Sequence, residues 1–404
     1  MSEEQALKPL SQLQKWVLAV ALVSMGFGMT ISFVVAPPLA RDAGLSELQV
    51  AGVLTGSSLL FALMTPVWGR LSGDYGRKRI MLFALLASAV TNTLFIFALS
   101  SALKGLIIGL QAFALLAVVR ASFGLLASGL QPSAFAAMTD ATTAHDRAAG
   151  LGFLGAAMSV GSILGPTGAF VLAQFGALAP LWGSVVVALL CAAFVLFVLP
   201  QDHAQKVIKR PKPISMWDNR IRIFVLFMIF YFTAVACMQQ TLAWFIMDRY
   251  GLGREDAVAS TGLIFGIMSV AMVLVQTFYV SRYKPRPRTM LPMGITLVAA
   301  GYAFAIIHLP FWALCLGFGI VGVGSALVVP ALNALGTLAV EPQEQGGAAA
   351  LMAMAPPAGF VIGPLIGGAL YMFHPDLPLT ISAIAMSVLL TYALLRMREG
   401  RVTA

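Results

Sequence analysis

The sequence predicts an all-α membrane protein with twelve transmembrane helices in two pseudo-symmetric six-helix halves, and three observations support this. Of its 404 residues, 59% are hydrophobic and only 10% are charged, with a mean hydropathy of +0.90, whereas a soluble domain carries about 25% charged residues. Continuous apolar runs, each long enough to cross a hydrocarbon core of about 30 Å, recur along the chain. Because apolar and polar residues do not alternate in them, these runs predict helices rather than barrel strands. The third observation is a repeat of sequence landmarks between the two halves.

The apolar runs define the individual helices and the two halves. The predicted helices are residues 15–38, 48–68, 80–99, 112–138, 148–174, 178–199, 223–248, 257–280, 289–307, 311–338, 347–372 and 379–396. The predicted parts of the chain are a cytoplasmic N-terminus at 1–14, an N-terminal half at 15–200, a basic cytoplasmic linker at 201–222, a C-terminal half at 223–397 and a cytoplasmic C-terminus at 398–404. No removable signal peptide is expected, so helix one is predicted to start membrane insertion.

The basic residues predict the orientation in the membrane. One side of the predicted topology carries most lysines and arginines, whereas the other carries only Arg41, Lys104, Arg249 and Arg254. Basic loops stay in the cytoplasm, so both termini are expected there, in a bacterial-type inner (cytoplasmic) membrane. Contact with anionic membrane lipid explains the net charge of +9 without a nucleic-acid partner.

The three cysteines predict neither a metal site nor a disulfide framework. Cys191, Cys237 and Cys315 all fall inside predicted helices, without the spacing of metal ligands. They are interpreted as small apolar packing residues. No metal and no cofactor is predicted.

Sequence landmarks recur on the two sides of the linker. GSILGPTGAF in helix five corresponds to GFVIGPLIGGAL in helix eleven. Pro132 precedes Pro166 by 34 residues, and Pro330 precedes Pro364 by the same number. Two matched halves are typical of a transporter in which one half rocks against the other around a central site.

Three further motifs make a resemblance specific. In GRLSGDYGRKR, the residues Gly69, Gly76, Arg77 and Lys78 fit the loop motif of the major facilitator superfamily. Arg120 and Gly124 fit its helix-four motif, and Gly161, Gly165 and Pro166 fit the antiporter signature of helix five. The whole chain therefore resembles a major facilitator superfamily transporter, most closely the twelve-helix drug and metabolite:proton antiporter branch. Two departures are Asp74, shifted by one residue because Gly73 stands at the usual aspartate position, and Gly168–Ala169 in place of a double glycine.

The resemblance implies a set of gating residues. The charged stretch at 69–79 is expected to be a cytoplasmic turn between helices two and three that latches the outward-facing state; a simple topological anchor is the alternative. The helix-five and helix-eleven glycines and prolines are expected to allow close approach and kinking, or to serve packing alone. The gating candidates are Gly69, Asp74, Gly76, Arg77, Lys78, Gly161, Gly165, Pro166, Gly363 and Pro364.

The charges inside the helices indicate the substrate class. None of the sixteen acidic residues lies near the middle of a predicted helix, although a transporter of organic cations would be expected to offer a buried carboxylate. Arg120 is the one charge well inside a helix. It either contacts an anionic substrate or serves structure and gating. Both interpretations favour neutral or anionic substrates over cations.

Helices one, four, seven and ten line the cavity in the superfamily, and their residues give the candidate site. The substrate-binding candidates are Arg120, Gln239, Gln240, Asn333, Trp244, Tyr231, Met25 and Thr30. Asp140, near the inner end of helix four, and Asp42, at the outer end of helix one, are the candidates for proton coupling.

The predicted function is proton-coupled export of a neutral or anionic amphipathic small molecule, either a drug or a secreted metabolite such as a siderophore, by alternating access. An uptake carrier or facilitator for a small organic acid or sugar is the alternative. A membrane enzyme or receptor is disfavoured because the sequence has no Ser/His/Asp set, phosphate loop or metal cluster. The expected partners are the substrate, protons and membrane lipid, and the resemblance implies a monomer.

Overall fold

The computed structural model describes residues 10–142, 147–200, 215–307, 310–341 and 344–398. Every regular element within these ranges is a helix. The elements are α1 (Gln12–Asp42), α2 (Glu47–Tyr75), α3 (Arg77–Leu103), α4 (Gly109–Ala127), α5 (Leu130–Asp140), α6 (Arg147–Ala173), α7 (Ala179–Val198), α8 (Arg222–Tyr250), α9 (Arg254–Leu274), a π-helix (Val275–Val280), α10 (Ser281–Tyr283), α11 (Pro287–Ile306), α12 (Phe311–Leu338), α13 (Gln345–Phe373) and α14 (Leu377–Arg398).

The twelve predicted spans are confirmed in the described part of the chain. Twelve helical segments are long and apolar enough to cross a membrane, with α4 and α5 forming one of them and α9, the π-helix and α10 another. Most helices extend a few residues beyond their predicted ends, because polar residues can continue a helix past the hydrocarbon core. The fold class predicted from the sequence is correct.

The charged stretch at 69–79 is not a turn of several residues. Helix α2 continues to Tyr75 and α3 begins at Arg77. Only Gly76 lies between them, with a φ of 99°, a conformation that residues with a Cβ rarely adopt. The connection between two membrane helices is therefore a single glycine.

The fourth span is broken, although one continuous helix is expected there. Helix α4 ends at Ala127, and Ser128 and Gly129 separate it from α5, which begins at Leu130. Pro132 has no N–H to donate to the carbonyl of Ser128, four residues earlier. Gly129 keeps near-helical backbone angles (φ −73°, ψ −19°), and a Cβ there would lie 3.0 Å from the side chain of Ile80.

The chain forms two compact units. The first takes the residues through Leu45 and from Gly56 through α7, and the second takes Ser46–Thr55 together with α8–α14. Within the second unit, the hydroxyl of Thr55 donates to the carbonyl of Val361 on α13 at 3.1 Å. The predicted membrane-domain boundaries stay predictions. Residues 1–9, 201–214 and 399–404 of the predicted termini and linker lie outside the described ranges.

Glycines bring helices into close contact within each unit. In the first unit, a Cβ at Gly161 of α6 would clash with the carbonyl of Val23 on α1. In the second, a Cβ at Gly363 of α13 would lie 2.6 Å from the carbonyl oxygen of Thr233 on α8. Real Cβ atoms do not approach so closely, so these positions require glycine.

Candidate functional site

Arg120 on α4 is the central charged residue of the first unit. Its side chain is buried, with 4% of the residue exposed. Its Nη1 donates a hydrogen bond to Oδ1 of Asn92 on α3 at 3.2 Å. Its guanidinium lies 4.4 Å from the ring centroid of Phe123 and 5.5 Å from that of Phe95.

The charge of Arg120 is incompletely compensated. Among the described residues no carboxylate pairs with it, and its Nε has no hydrogen-bond partner. Contact with aromatic faces contributes about 2 kcal/mol or more when desolvated, whereas burying an ion costs several kcal/mol. The arrangement can therefore accept an anion or a hydrogen-bond acceptor at the guanidinium.

Two adjacent glutamines form the corresponding polar feature of the second unit. Gln239 and Gln240 on α8 are buried, and Gln240 is completely inaccessible to solvent. Oε1 of Gln239 and both polar side-chain atoms of Gln240 have no hydrogen-bond partner in the described ranges. Each unsatisfied buried group costs about 1–3 kcal/mol. One turn later, the ring of Trp244 packs against Tyr371 with 5.5 Å between centroids.

Tyr231, also on α8, has its polar atom satisfied within the second unit. Its hydroxyl donates a hydrogen bond to Oγ of Ser325 on α12 at 2.7 Å. The Ser325 hydroxyl in turn donates to the carbonyl oxygen of Val321 at 2.7 Å. Tyr231 is 2% exposed. The contact fixes the ring against α12 and leaves the glutamines as the unsatisfied polar groups of α8 in the described ranges.

The remaining substrate-binding candidates Thr30, Met25 and Asn333 are not buried polar groups that lack a hydrogen-bond partner in the described ranges. Thr30 donates to the carbonyl of Gly26 at 2.9 Å within its own helix. Met25 is buried in the apolar core of the first unit. Asn333 is exposed on α12. None of these positions is tested by a bound substrate, so all eight stay predictions.

A predicted gating residue and a predicted proton-coupling residue are brought together. Nε of Arg77, at the start of α3, lies 3.1 Å from Oδ2 of Asp140, the last residue of α5. Nη1 of Arg77 also donates to Oγ of Ser72 on α2 at 2.7 Å. Arg77 therefore joins α2, α3 and α5, and its side chain is only 12% exposed.

The other gating and coupling candidates surround this pair or lie apart from it. Lys78 donates to the carbonyl of Leu199, which follows α7. Asp74 is exposed and has no partner in the described part of the chain. A Cβ at Gly69 would lie 3.5 Å from Cβ of Pro132. Asp42, the last residue of α1, is exposed at the opposite end of that helix from the Ser11 cap.

The gating candidates of predicted helices five and eleven lie on α6 and α13 of the structure, where each of these helices contacts a neighbouring helix. A Cβ at Gly165 of α6 would clash with the Thr30 side chain of α1, and a Cβ at Gly363 of α13 would clash with the backbone of α8. Pro166 and Pro364 each follow such a glycine inside a continuous helix. The positions are required for close packing; their gating role stays a prediction.

The sequence reasoning missed the partners of these residues. Ser72 and Ser325 gave no signal, because isolated hydroxyls are common in membrane helices. Asn92 received no role, although an amide inside an apolar helix predicts a hydrogen-bond partner. Within the described ranges, no group of three His, Cys, Asp or Glu side chains could hold a metal ion.

Comparison with known proteins gives a consistent result. A model of the family described as "Major Facilitator Superfamily" matches residues 17–301 and 281–403. Multidrug resistance protein 1 of Bacillus subtilis (strain 168) is 25% identical over 378 residues, which are 90% of each chain. The quinolone resistance protein NorA of Staphylococcus aureus (strain COL) is 23% identical over 376 residues, 89% of this chain and 90% of NorA. A bacterial homologue of the human lysosomal transporter Spinster has a similar structure, with a TM-score of 0.71 and 16% identity over 95% of this chain and 96% of that one.

Proposed function

The chain belongs to the major facilitator superfamily, and we propose that it is a proton-coupled exporter of neutral or anionic amphipathic small molecules. It acts as a monomer in the bacterial inner membrane with both termini in the cytoplasm. Its substrate is a drug or a secreted metabolite such as a carboxylate siderophore. The relatives named for multidrug and quinolone resistance support export, and the lopsided distribution of basic residues supports the orientation.

The observation that carries the substrate class is the environment of Arg120. A buried guanidinium with one hydrogen bond and two aromatic faces attracts an anionic or hydrogen-bond-accepting group. It repels a cation, because no described carboxylate neutralises it. An amphipathic molecule would place its acceptor group at Arg120 and its apolar part against rings such as Phe123.

The glutamines of the second unit provide neutral recognition. An amide offers both a donor and an acceptor, and Gln240 has neither satisfied within the described ranges. The proposed set of contacts is completed by Trp244, Tyr231, Met25, Thr30 and Asn333. A buried guanidinium with no carboxylate partner in the described ranges, and a buried Gln240 amide with no hydrogen bond there, suit uncharged and anionic substrates.

Proton coupling is proposed at Asp140. Protonation would neutralise its carboxylate and remove its attraction to Arg77, which holds the end of α5 against α2 and α3. Loss of this ion pair would release the cytoplasmic end of the first unit. Asp42 is the second candidate, at the outer end of α1.

The test uses inverted membrane vesicles with an imposed acid-inside gradient. Uptake of labelled anionic, neutral and cationic amphipathic compounds is compared for the wild type, Arg120→Gln and the control Arg288→Gln, which alters an exposed arginine of α11. We expect gradient-driven uptake of neutral and anionic compounds, with the anions lost in Arg120→Gln alone. Preferential uptake of cations would overturn the substrate class.

The same vesicles separate export from the alternatives. Transport without any dependence on the gradient would indicate a facilitator, and transport in the opposite direction would indicate an uptake carrier for a small organic acid or sugar. Asp140→Asn is expected to retain binding and lose gradient-driven transport. Full pH-driven transport by this variant would rule out Asp140 as the coupling residue.

A further inference from the structure

We infer that the groove between α8 and α14 of the second unit is a binding site for one anionic phospholipid. The groove has a volume of about 940 Å³, within the range of small-molecule sites. Its walls combine three polar residues at one end with apolar residues along the rest. The lining includes Trp217, Asn219, Arg222, Leu226, Phe230 and Leu389.

The apolar part of the groove follows one face of each helix. Residues 223, 226, 227 and 230 on α8 and residues 385, 388, 389 and 392 on α14 line it, and both sets recur with helical spacing. The rings of Phe227 and Tyr392 meet across the groove with 5.7 Å between centroids. Seven residues of helix correspond to about 10 Å, so the apolar part is long enough to hold a segment of acyl chain.

The polar end has the chemistry for a phosphate group. Arg222 is exposed, and within the described ranges its guanidinium has no hydrogen-bond or ion-pair partner. Arg220, two residues earlier, binds both Asp218 and Glu344 at 2.8 Å. The nearby carboxylates are therefore already engaged, and the positive charge of Arg222 remains available to a ligand.

Trp217 and Asn219 fit the same ligand. Trp217 is 69% exposed, and tryptophan side chains prefer the level of the lipid headgroups. The Asn219 amide offers donors and an acceptor to the glycerol or headgroup oxygens. With the proposed orientation, this end lies in the cytoplasmic leaflet, where anionic lipids attract basic residues with about 1 kcal/mol each. The commitment to an anionic lipid rests on this complementarity: a cationic and amphipathic end above an apolar channel.

The test is native mass spectrometry of the purified full-length protein with added phosphatidylglycerol or phosphatidylcholine of identical acyl chains. Three variants are compared with the wild type. Arg222→Gln removes the proposed phosphate contact, Arg288→Gln removes an exposed arginine that does not line the groove, and Ala385→Phe fills the groove. Thermal melting and gel filtration show that each variant is folded and monodisperse.

We expect the wild type and Arg288→Gln to bind phosphatidylglycerol about fivefold more than phosphatidylcholine, the factor corresponding to one basic contact. Arg222→Gln is expected to lose this preference, and Ala385→Phe to lose both lipids. A photoactivatable phosphatidylglycerol is expected to label peptides containing residues 217–230 and 385–392. Because none of these residues belongs to the proposed transport site, substrate transport tests the proposed function separately.

Three outcomes would overturn the inference. The first is an unchanged lipid preference in Arg222→Gln. The second is undiminished lipid binding in Ala385→Phe, or labelling confined to other helices. The third is a protein dimer that replaces bound lipid and disappears in Ala385→Phe, which would make the groove an interface between two copies of the chain.

Discussion

The fourth span of the first unit, α4 together with α5, and helix α12 of the second unit carry the same landmarks but different chemistry. Arg120 stands four residues before Gly124, whereas Phe318 stands four residues before Gly322, and Pro132 and Pro330 follow at the same spacing. Arg120 bonds to an amide and lies over aromatic rings. Phe318 packs edge-on against Phe265 and Tyr302, with 6.2 Å between centroids in each case.

The glycines have the same function in both units. A Cβ at Gly124 would clash with the carbonyl of Ser57 on α2, and one at Gly322 would clash with the carbonyl of Met268 on α9. Because glycine has no side chain, both positions allow two helix backbones to approach closely. At these two spans, the glycine that sets the helix contact is present in both units, whereas the residue proposed to meet a ligand is present only in the first.

The largest expected effect comes from filling either glycine contact. Gly124→Leu and Gly322→Leu should each prevent recovery of folded protein, because the obstacle is backbone that cannot move aside, and overpacking of even yielding cores costs about 1–3 kcal/mol. Fluorescence-detected gel filtration of the solubilised protein measures this. Gly152→Ala is the control, since no atom lies within 4 Å of the point where its Cβ would be. If either leucine variant gave a normal yield of folded protein, the glycine at that position would not be required for folding and the two contacts would not be equivalent.

The next effect sharpens the chemical difference between Arg120 and Phe318. The double variant Arg120→Met/Asn92→Leu should lose transport of anions and gain about 1–4 kcal/mol of stability, because it replaces a buried charge and its amide partner by apolar groups. Phe318→Leu should instead lose about 0.5–3 kcal/mol and retain transport. Thermal melting and vesicle uptake give the two readouts. A lower melting temperature in the double variant would make Arg120 a structural residue.

A smaller effect is expected at the unsatisfied glutamine of α8. Gln240→Leu should stabilise the protein by about 1–3 kcal/mol, since it removes two buried polar atoms that have no partners in the described ranges. It should also weaken transport of neutral substrates. Tyr231→Phe serves as the opposite control: it removes a satisfied hydrogen bond and should destabilise by about 1 kcal/mol. Destabilisation by Gln240→Leu would show that the amide is satisfied in the folded protein.

The smallest effect concerns the exposed ion pairs of the second unit. Arg220 lowers the pKa values of Asp218 and Glu344 below their ordinary 3.8 and 4.5 by hydrogen bonds to their carboxylates. Any stabilisation is therefore complete above about pH 5 and is lost as pH falls through the lowered values. The melting temperatures of the wild type and Arg220→Gln should differ slightly at neutral pH and converge in acid. A difference that does not shrink as the pH falls below the ordinary pKa values of the two carboxyls would contradict the electrostatic origin.

Much of the fold could be predicted from the sequence because the bilayer imposes it. The number of spans and their approximate ends follow from the lengths of the apolar runs, because the thickness of the hydrocarbon core sets the length that a spanning helix needs. The helical path of residues 69–75 could not be predicted, because charge marks the edge of the membrane and not the end of a helix. The break before α5 was not expected either: Pro132 and Pro330 look equivalent, yet only the first follows a Ser-Gly pair, and α12 remains continuous.

The candidate site could be predicted only in part, because its residues are far apart in sequence. The polarity of Arg120, Gln239 and Gln240 inside apolar helices marked them as exceptional. The contact between Arg77 and Asp140, which are 63 residues apart, depends on how three helix ends meet. That geometry cannot be derived from a single sequence, so Arg77 was predicted to take part in gating and Asp140 in proton coupling.

The glycine contacts between helices also limit how such a protein can evolve. Gly294 and Gly324 face each other across α11 and α12, and Gly301 and Gly317 do the same further along. Any amino-acid change from a glycine codon adds a side chain. A Cβ at Gly294, Gly301 or Gly324 would lie within 3.0 Å of the opposite backbone, whereas one at Gly317 would lie 3.1 Å from it. Changes in substrate range are therefore expected to tolerate these crossings poorly and to fall instead around the proposed contact residues Arg120 and Gln240.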